Sequence, residues 1–116
     1  MTAEEHIYDT LKHLAGGRVF PDFAPEGEDL PLIVYQAVGG EPANFVSGDQ
    51  PDKQHTRMQV SVWAATRLQA SELGDQVERA VRAATALQTE VAAGRVAVYD
   101  EETKYRGTRQ DFYLFC

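Results

Sequence analysis

The sequence predicts an α+β fold: a largely antiparallel four-stranded sheet with two helices packed on one face, in the order helix-strand-strand-helix-strand-strand. Three observations lead there. Residues 56–64 alternate, with Met58, Val60, Val62 and Ala64 set against Arg57, Gln59, Ser61 and Trp63, the period of a half-buried strand. Residues 67–87 place Leu73, Val77, Ala80, Val81, Ala84 and Leu87 in one helical stripe. Strand-like segments flank that helix in pairs, and hairpins on either side of a helix favour an antiparallel sheet covered on one face.

The elements follow in order. Residues 3–15 read as a helix: Thr2 and Glu5 have capping-box spacing, Ile7, Leu11 and Leu14 form one stripe, and Gly16-Gly17 stops it. Residues 18–31 are a loop with a short extended piece at Arg18-Val19-Phe20; Pro21, Pro25 and Pro31 restrict its backbone. Phe20 and Phe23 are costly to leave in water, which predicts that the loop is ordered. Residues 32–38 are a β-branched strand ended by Gly39-Gly40. Residues 43–55 are a polar connection too long for a tight turn, an open and mobile arm. After the alternating strand, Thr66 and Gln69 repeat the capping spacing before the second helix. Gly74 interrupts that helix at a cost of about 1 kcal/mol relative to alanine, which raises the question of a close approach. Residues 94–99 and 106–115 are the last two strands, joined by a bend at Asp100-Glu101-Glu102-Thr103.

The chain of 116 residues predicts a single domain, 1–116, large enough for a core without disulfides. Hydrophobic content of 43% and charged content of 25% are globular values. The net charge of −7 and the scatter of eleven Lys and Arg residues argue against nucleic-acid binding. No apolar run reaches membrane-spanning length, and the acidic N-terminus has no signal-peptide core, so cytosolic production is expected. The one cysteine, Cys116, cannot form an internal disulfide.

No set of residues points to catalysis, so no catalytic, cofactor-binding or metal-binding residue is expected. His6 and His13 share a face of the first predicted helix, but His55 is remote and zinc needs about four ligands. Cys116 at a chain end is a poor nucleophile position. Gly16-Gly17 and Gly39-Gly40 lack the lysine and hydroxyl residue of a phosphate loop. The run Asp100-Glu101-Glu102 is compatible with a solvated bend, a docking surface for a basic partner or weak cation binding. Trp63 lies on the more polar face of its strand. It either covers a sheet edge or neighbouring loop or contacts another subunit.

Several blocks together carry a resemblance. Ala24-Pro25-Glu26-Gly27-Glu28-Asp29-Leu30-Pro31-Leu32-Ile33-Val34-Tyr35-Gln36 is followed by Arg57-Met58-Gln59-Val60-Ser61-Val62-Trp63-Ala64 and an alanine-rich helix, then Tyr99-Asp100-Glu101-Glu102-Thr103 and Asp111-Phe112-Tyr113-Leu114-Phe115. Over residues 6–115 this order resembles the small tail-completion, or tail-terminator, proteins of long-tailed bacteriophages and prophages. Leu32 stands where that family often has an aromatic residue. Pro25, Leu30, Pro31 and Tyr35 read as residues that shape the loop.

The resemblance implies a structural virion-assembly protein without enzymatic activity. Copies would form a ring, a hexamer when assembled, that caps the head-proximal end of the tail tube and presents the head-joining surface. The implied partners are further copies of the chain, the tail-tube protein and the head connector protein. DNA would only pass through the lumen, and no membrane is involved. Assembly would occur in the host bacterial cytoplasm, with the protein ending in the virion tail. A head–tail connector, another tail-associated structural protein and a prophage-derived protein-interaction domain are the alternatives; a small hydrolase would require a deep polar pocket. The interface candidates are Asn44, Phe45 and Asp49 on the arm, Trp63, the bend residues Asp100, Glu101 and Glu102, and Tyr113 and Phe115 on the last strand.

Overall fold

A computed structural model describes residues 1–42, 47–48 and 52–116. The elements are α1 (Ala3–Leu11), β1 (Val19–Pro21), β2 (Leu32–Ala37), β3 (His55–Ala64), α2 (Arg67–Ala83), β4 (Glu90–Val91), β5 (Val96–Tyr99) and β6 (Arg106–Phe115). The fold is α+β with two helices and a mostly antiparallel sheet, as expected, but the sheet has six strands rather than four. The element order is therefore helix, three strands, helix, three strands.

Both added strands depend on contacts distant in sequence. The extended piece near residue 19 becomes β1 because it pairs in parallel with β2, Val19 opposite Ile33. Arg18 Nε, which donates to Pro31 O at 2.9 Å, and Asp22 N, which donates to Tyr35 O at 2.9 Å, hold the two segments together. Strand β4 pairs with the same edge of β6 that β5 uses. Val91 faces Phe112 and Val96 faces Arg109, five steps on one side against three on the other. The surplus residues bulge out, so the expected strand at 94–99 is shortened to β5 and is preceded by the separate, unexpected β4.

The helices begin where their caps predict. Thr2 Oγ1 accepts from Glu5 N while Glu5 Oε1 accepts from Thr2 N, a complete capping box. At α2, Thr66 Oγ1 accepts from Gln69 N, but the glutamine carbonyl accepts from Ala65 N instead of returning to the cap. Helix α1 ends at Leu11, four residues before the expected boundary, since Leu14 has an extended backbone at φ −95° and ψ 163°. A single 3₁₀ turn, Ala15–Gly17, then lets Leu14 and Ala15 pack on the core. His13 consequently lies beyond the helix and does not share a helical face with His6. Helix α2 ends at Ala83, and a second 3₁₀ turn carries Leu87 into the core.

Both helices cover the same sheet face. Their Ile7, Leu11, Leu73, Val77 and Val81 meet Ile33, Met58, Val60, Val62, Phe112 and Leu114 in one cluster. Burying each such side chain stabilises the fold by roughly 1.5–3 kcal/mol. Gly74 is the point of closest approach: an added Cβ would lie 2.6 Å from Thr108 Oγ1 and 2.8 Å from Arg95 Cδ. The glycine weakens the isolated helix and allows it to lie against β6, so the cost noted from sequence has a packing reason.

The bulge between β4 and β5 is fastened to this helix. Buried Gln110 donates from Nε2 to Ala93 O at 3.0 Å. Arg95 reaches Glu78 at 3.2 Å, and Glu78 also receives Arg82 at 3.0 Å. These donors, the Gln110 amide first, hold the Glu78 carboxyl below its ordinary range. Arg79 does the same to Asp75.

Candidate protein-interaction surface

Among the described residues, no helix covers the opposite sheet face. Its side chains follow from the two-residue period of the strands: Leu32, Val34 and Gln36 on β2; His55, Arg57, Gln59, Ser61 and Trp63 on β3; Gly107, Arg109, Asp111, Tyr113 and Phe115 on β6. The registers align them into rows across the sheet. Leu32, Trp63 and Gly107 form one row, Val34, Ser61 and Arg109 the next, and Gln36, Gln59 and Asp111 the one after.

The first row explains the tryptophan. An added Cβ at position 107 would fall 2.8 Å from Trp63 Cε3 and 2.4 Å from Val62 O, so the indole lies over bare glycine backbone. On its other side is Leu32, buried although it points away from the helices. Trp63 remains half-buried, with part of its ring facing an open groove.

That groove has a volume of about 460 Å³. Leu32, Val34 and Trp63 give it an apolar floor, with Gln36, Gln59 and Ser61 continuing along the strands. The loop of residues 22–28 forms one wall, and Asp100, Thr103 and Tyr105 of the β5–β6 turn form another. Phe23 stands on the rim at 76% exposure, contrary to the expectation that its ring is withdrawn from water. The loop is held by the main-chain and Arg18 contacts at its ends. It therefore does not need Phe23 as an anchor. The rim carries the carboxylates Asp22, Glu26, Glu28 and Asp100, and among the described residues no Lys or Arg lines the groove.

A second cluster occupies the other end of this face. Arg57 Nε donates to Asp111 Oδ2 at 2.7 Å and its Nη1 to the Tyr113 hydroxyl at 3.3 Å. The Asp111 carboxylate raises the Arg57 pKa further. His55 stacks on Tyr113 with ring centroids 4.8 Å apart, and Lys53 lies over the Phe115 ring. Gly107 and Tyr113 are six residues apart on one strand, roughly 20 Å, so this cluster is separate from the groove.

The interface candidates therefore divide. Trp63 and Asp100 meet in the groove; Glu101 and Glu102 are exposed on the same turn outside its lining. Tyr113 and Phe115 belong to the distant cluster, and Asn44, Phe45 and Asp49 lie outside the described residues. Sequence reading missed Asp22, Phe23, Glu26 and Glu28 as wall residues, although their Pro- and Gly-punctuated acidic run was a usable signal. It also missed Leu32 and Tyr105.

Among the described residues, no group of three or more His, Cys, Asp or Glu side chains is placed to hold a metal ion, and no helix is long and apolar enough to cross a membrane. Cys116 is partly buried against the core, which raises its thiol pKa. Its backbone pairs with Gln54.

These features define a class: small α+β proteins whose sheet is packed by helices on one face and open, with an apolar groove, on the other. The particular family follows from comparison. The family model for tail completion protein gp17 matches residues 8–114, and the chain belongs to that family. Comparison with curated proteins finds no match. Membership gives the chain a structural, assembly role in a phage tail and speaks for a non-enzymatic function.

Proposed function

We propose that copies of this chain form a ring, sixfold when assembled, that caps the head-proximal end of the tail tube and offers the head connector its joining surface. The carrying observation is the family match, which extends over nearly the whole folded chain, residues 8–114. The geometry supports it: one sheet face is consumed by the core, while the other keeps a groove and an aromatic cluster as two separate contact areas. A closed ring needs two unlike patches on each subunit, and a tube end and a connector add further demands. The open face, with Trp63, Tyr113 and Phe115, the adjoining turn residue Asp100 and the connection that precedes β3 are the proposed contact regions.

Capping requires no reaction. One side of the ring matches the last tube subunits, and the other does not template another layer. The net charge of −7 suits a lumen through which DNA passes without being gripped. Assembly in the host cytoplasm precedes incorporation into the virion tail. The test mixes purified, gold-labelled protein with tail tubes and images them by electron microscopy. Label confined to one end of each tube, as closed rings, is expected; label along the tube wall or absent from both ends would refute capping.

A further inference from the structure

We propose that the groove on the open sheet face receives a basic, apolar-anchored segment of a different protein: a short stretch with a Leu- or Phe-sized side chain flanked by Lys or Arg. This deepens the capping reading and rests on it for the setting, a tail particle. The apolar part of the argument is the floor of Leu32, Val34 and Trp63, which accepts a side chain of that size within about 460 Å³. The charged part is the rim. Asp22, Glu26, Glu28 and Asp100 surround the floor with no Lys or Arg among the described lining residues, and none of the four forms an ion pair with a described residue. Four lining carboxylates against two neighbouring cations, Lys104 on the bordering turn and Arg109 beside Ser61, leave the surroundings of this apolar floor net negative, which favours a positively charged occupant and speeds its arrival.

The chain's own cations make a second copy the weaker candidate, because few of them are free to meet four carboxylates. Lys12, Arg57, Arg79, Arg82 and Arg95 are in ion pairs. Arg18 and Arg67 donate to main-chain carbonyls, and Lys53 and Arg106 lie over aromatic rings. Among the described residues this leaves Lys104 and Arg109 without such a partner; Lys104 belongs to the turn that borders the same groove, and Arg109 lies beside Ser61 on the groove's own sheet face. Two chains of net charge −7 would bring carboxylates together there.

The single tryptophan provides a direct readout, because Trp63 is both the chain's one indole and a groove residue. The experiment titrates the full chain with the peptide Gly-Lys-Leu-Phe-Arg-Lys and, separately, with its charge-inverted counterpart Gly-Glu-Leu-Phe-Asp-Glu, following tryptophan emission. The basic peptide is expected to give a saturable change, weakened about fivefold when salt is raised from low to physiological strength. The double variant Glu28→Gln, Asp100→Asn, with an unchanged melting temperature, is expected to bind it about tenfold more weakly, each lost charge contributing a modest share. Equal responses to both peptides, no response to either, or an emission change that depends on protein concentration alone would overturn the proposal. The last result would mean that a second copy fills the groove. Peptide binding by a chain that fails to cap tubes would refute capping and leave the groove assignment standing; capping without peptide selectivity would do the reverse.

Discussion

The two faces of this sheet are made by the same strands and differ in what each residue has to satisfy. On the helix-covered face, Met58, Phe112 and Leu114 are fully buried and touch side chains from both helices or neighbouring strands. On the open face, Trp63 and Leu32 build a local apolar patch over Gly107, while Arg57, Asp111 and Tyr113 bond to each other at the surface. Two glycines make the contrast specific. Gly74 lets a helix approach the inner face; Gly107 lets an aromatic ring lie down on the outer one. The first contact contributes to folding as a whole. The second shapes a surface whose main demand is recognition.

The comparison can be broken by substitution. Phe112→Ala should cost about 3–5 kcal/mol in urea denaturation, the range for removing a large buried ring. Gly74→Ala should be destabilising by about 1–2 kcal/mol, because overpacking against Thr108 outweighs the gain in helix propensity of about 1 kcal/mol. In an exposed helix the same change would stabilise. Trp63→Ala should cost less than half of the Phe112 loss while abolishing tube capping; a loss equal to that of Phe112→Ala would make the open face part of the core.

Acid should act in part through the carboxylates of α2, alongside the lowered Glu5 carboxyl of the α1 capping box. The Asp75 and Glu78 carboxyls have folded pKa values below their ordinary 3.8 and 4.5, held there by Arg79 for Asp75 and by Gln110 and Arg82 for Glu78. Their contribution is therefore complete above the ordinary carboxylate range and is lost as pH falls through the lowered values. Stability measured by denaturation should hold from neutral pH to about 5 and then decline, and Glu78→Gln should flatten that decline. The smallest effect belongs to the outer face: Arg57→Ala should leave the urea midpoint almost unchanged, since its pair with Asp111 is partly exposed.

The parts legible in the sequence were those with local signals. Strict alternation marked β3, and its inner residues Met58, Val60, Val62 and Ala64 are the ones buried. Thr2 and Thr66 marked the helix starts, and Gly74 marked the close approach. The unread parts arise from long-range pairing. Nothing within Val19-Phe20-Pro21 encodes a parallel partner beyond a ten-residue loop, and Glu90-Val91 is too short to have a period. Helix α1 ends early because Leu14 and Ala15 reach the core through a separate turn, which a helical stripe containing Leu14 conceals. Trp63 was legible as a residue that sits on the other face. The groove was not, since its walls come from residues 22–28 and 100–105 and meet only when β2, β3 and β6 align.

The central claim, that this chain ends tail growth and prepares the joint to the head, is tested most directly by removing the chain alone from its phage and measuring particles by electron microscopy. The account predicts tails of irregular, excessive length or tails without heads, restored by supplying the chain in trans. Particles with normal tail lengths joined to heads would contradict it.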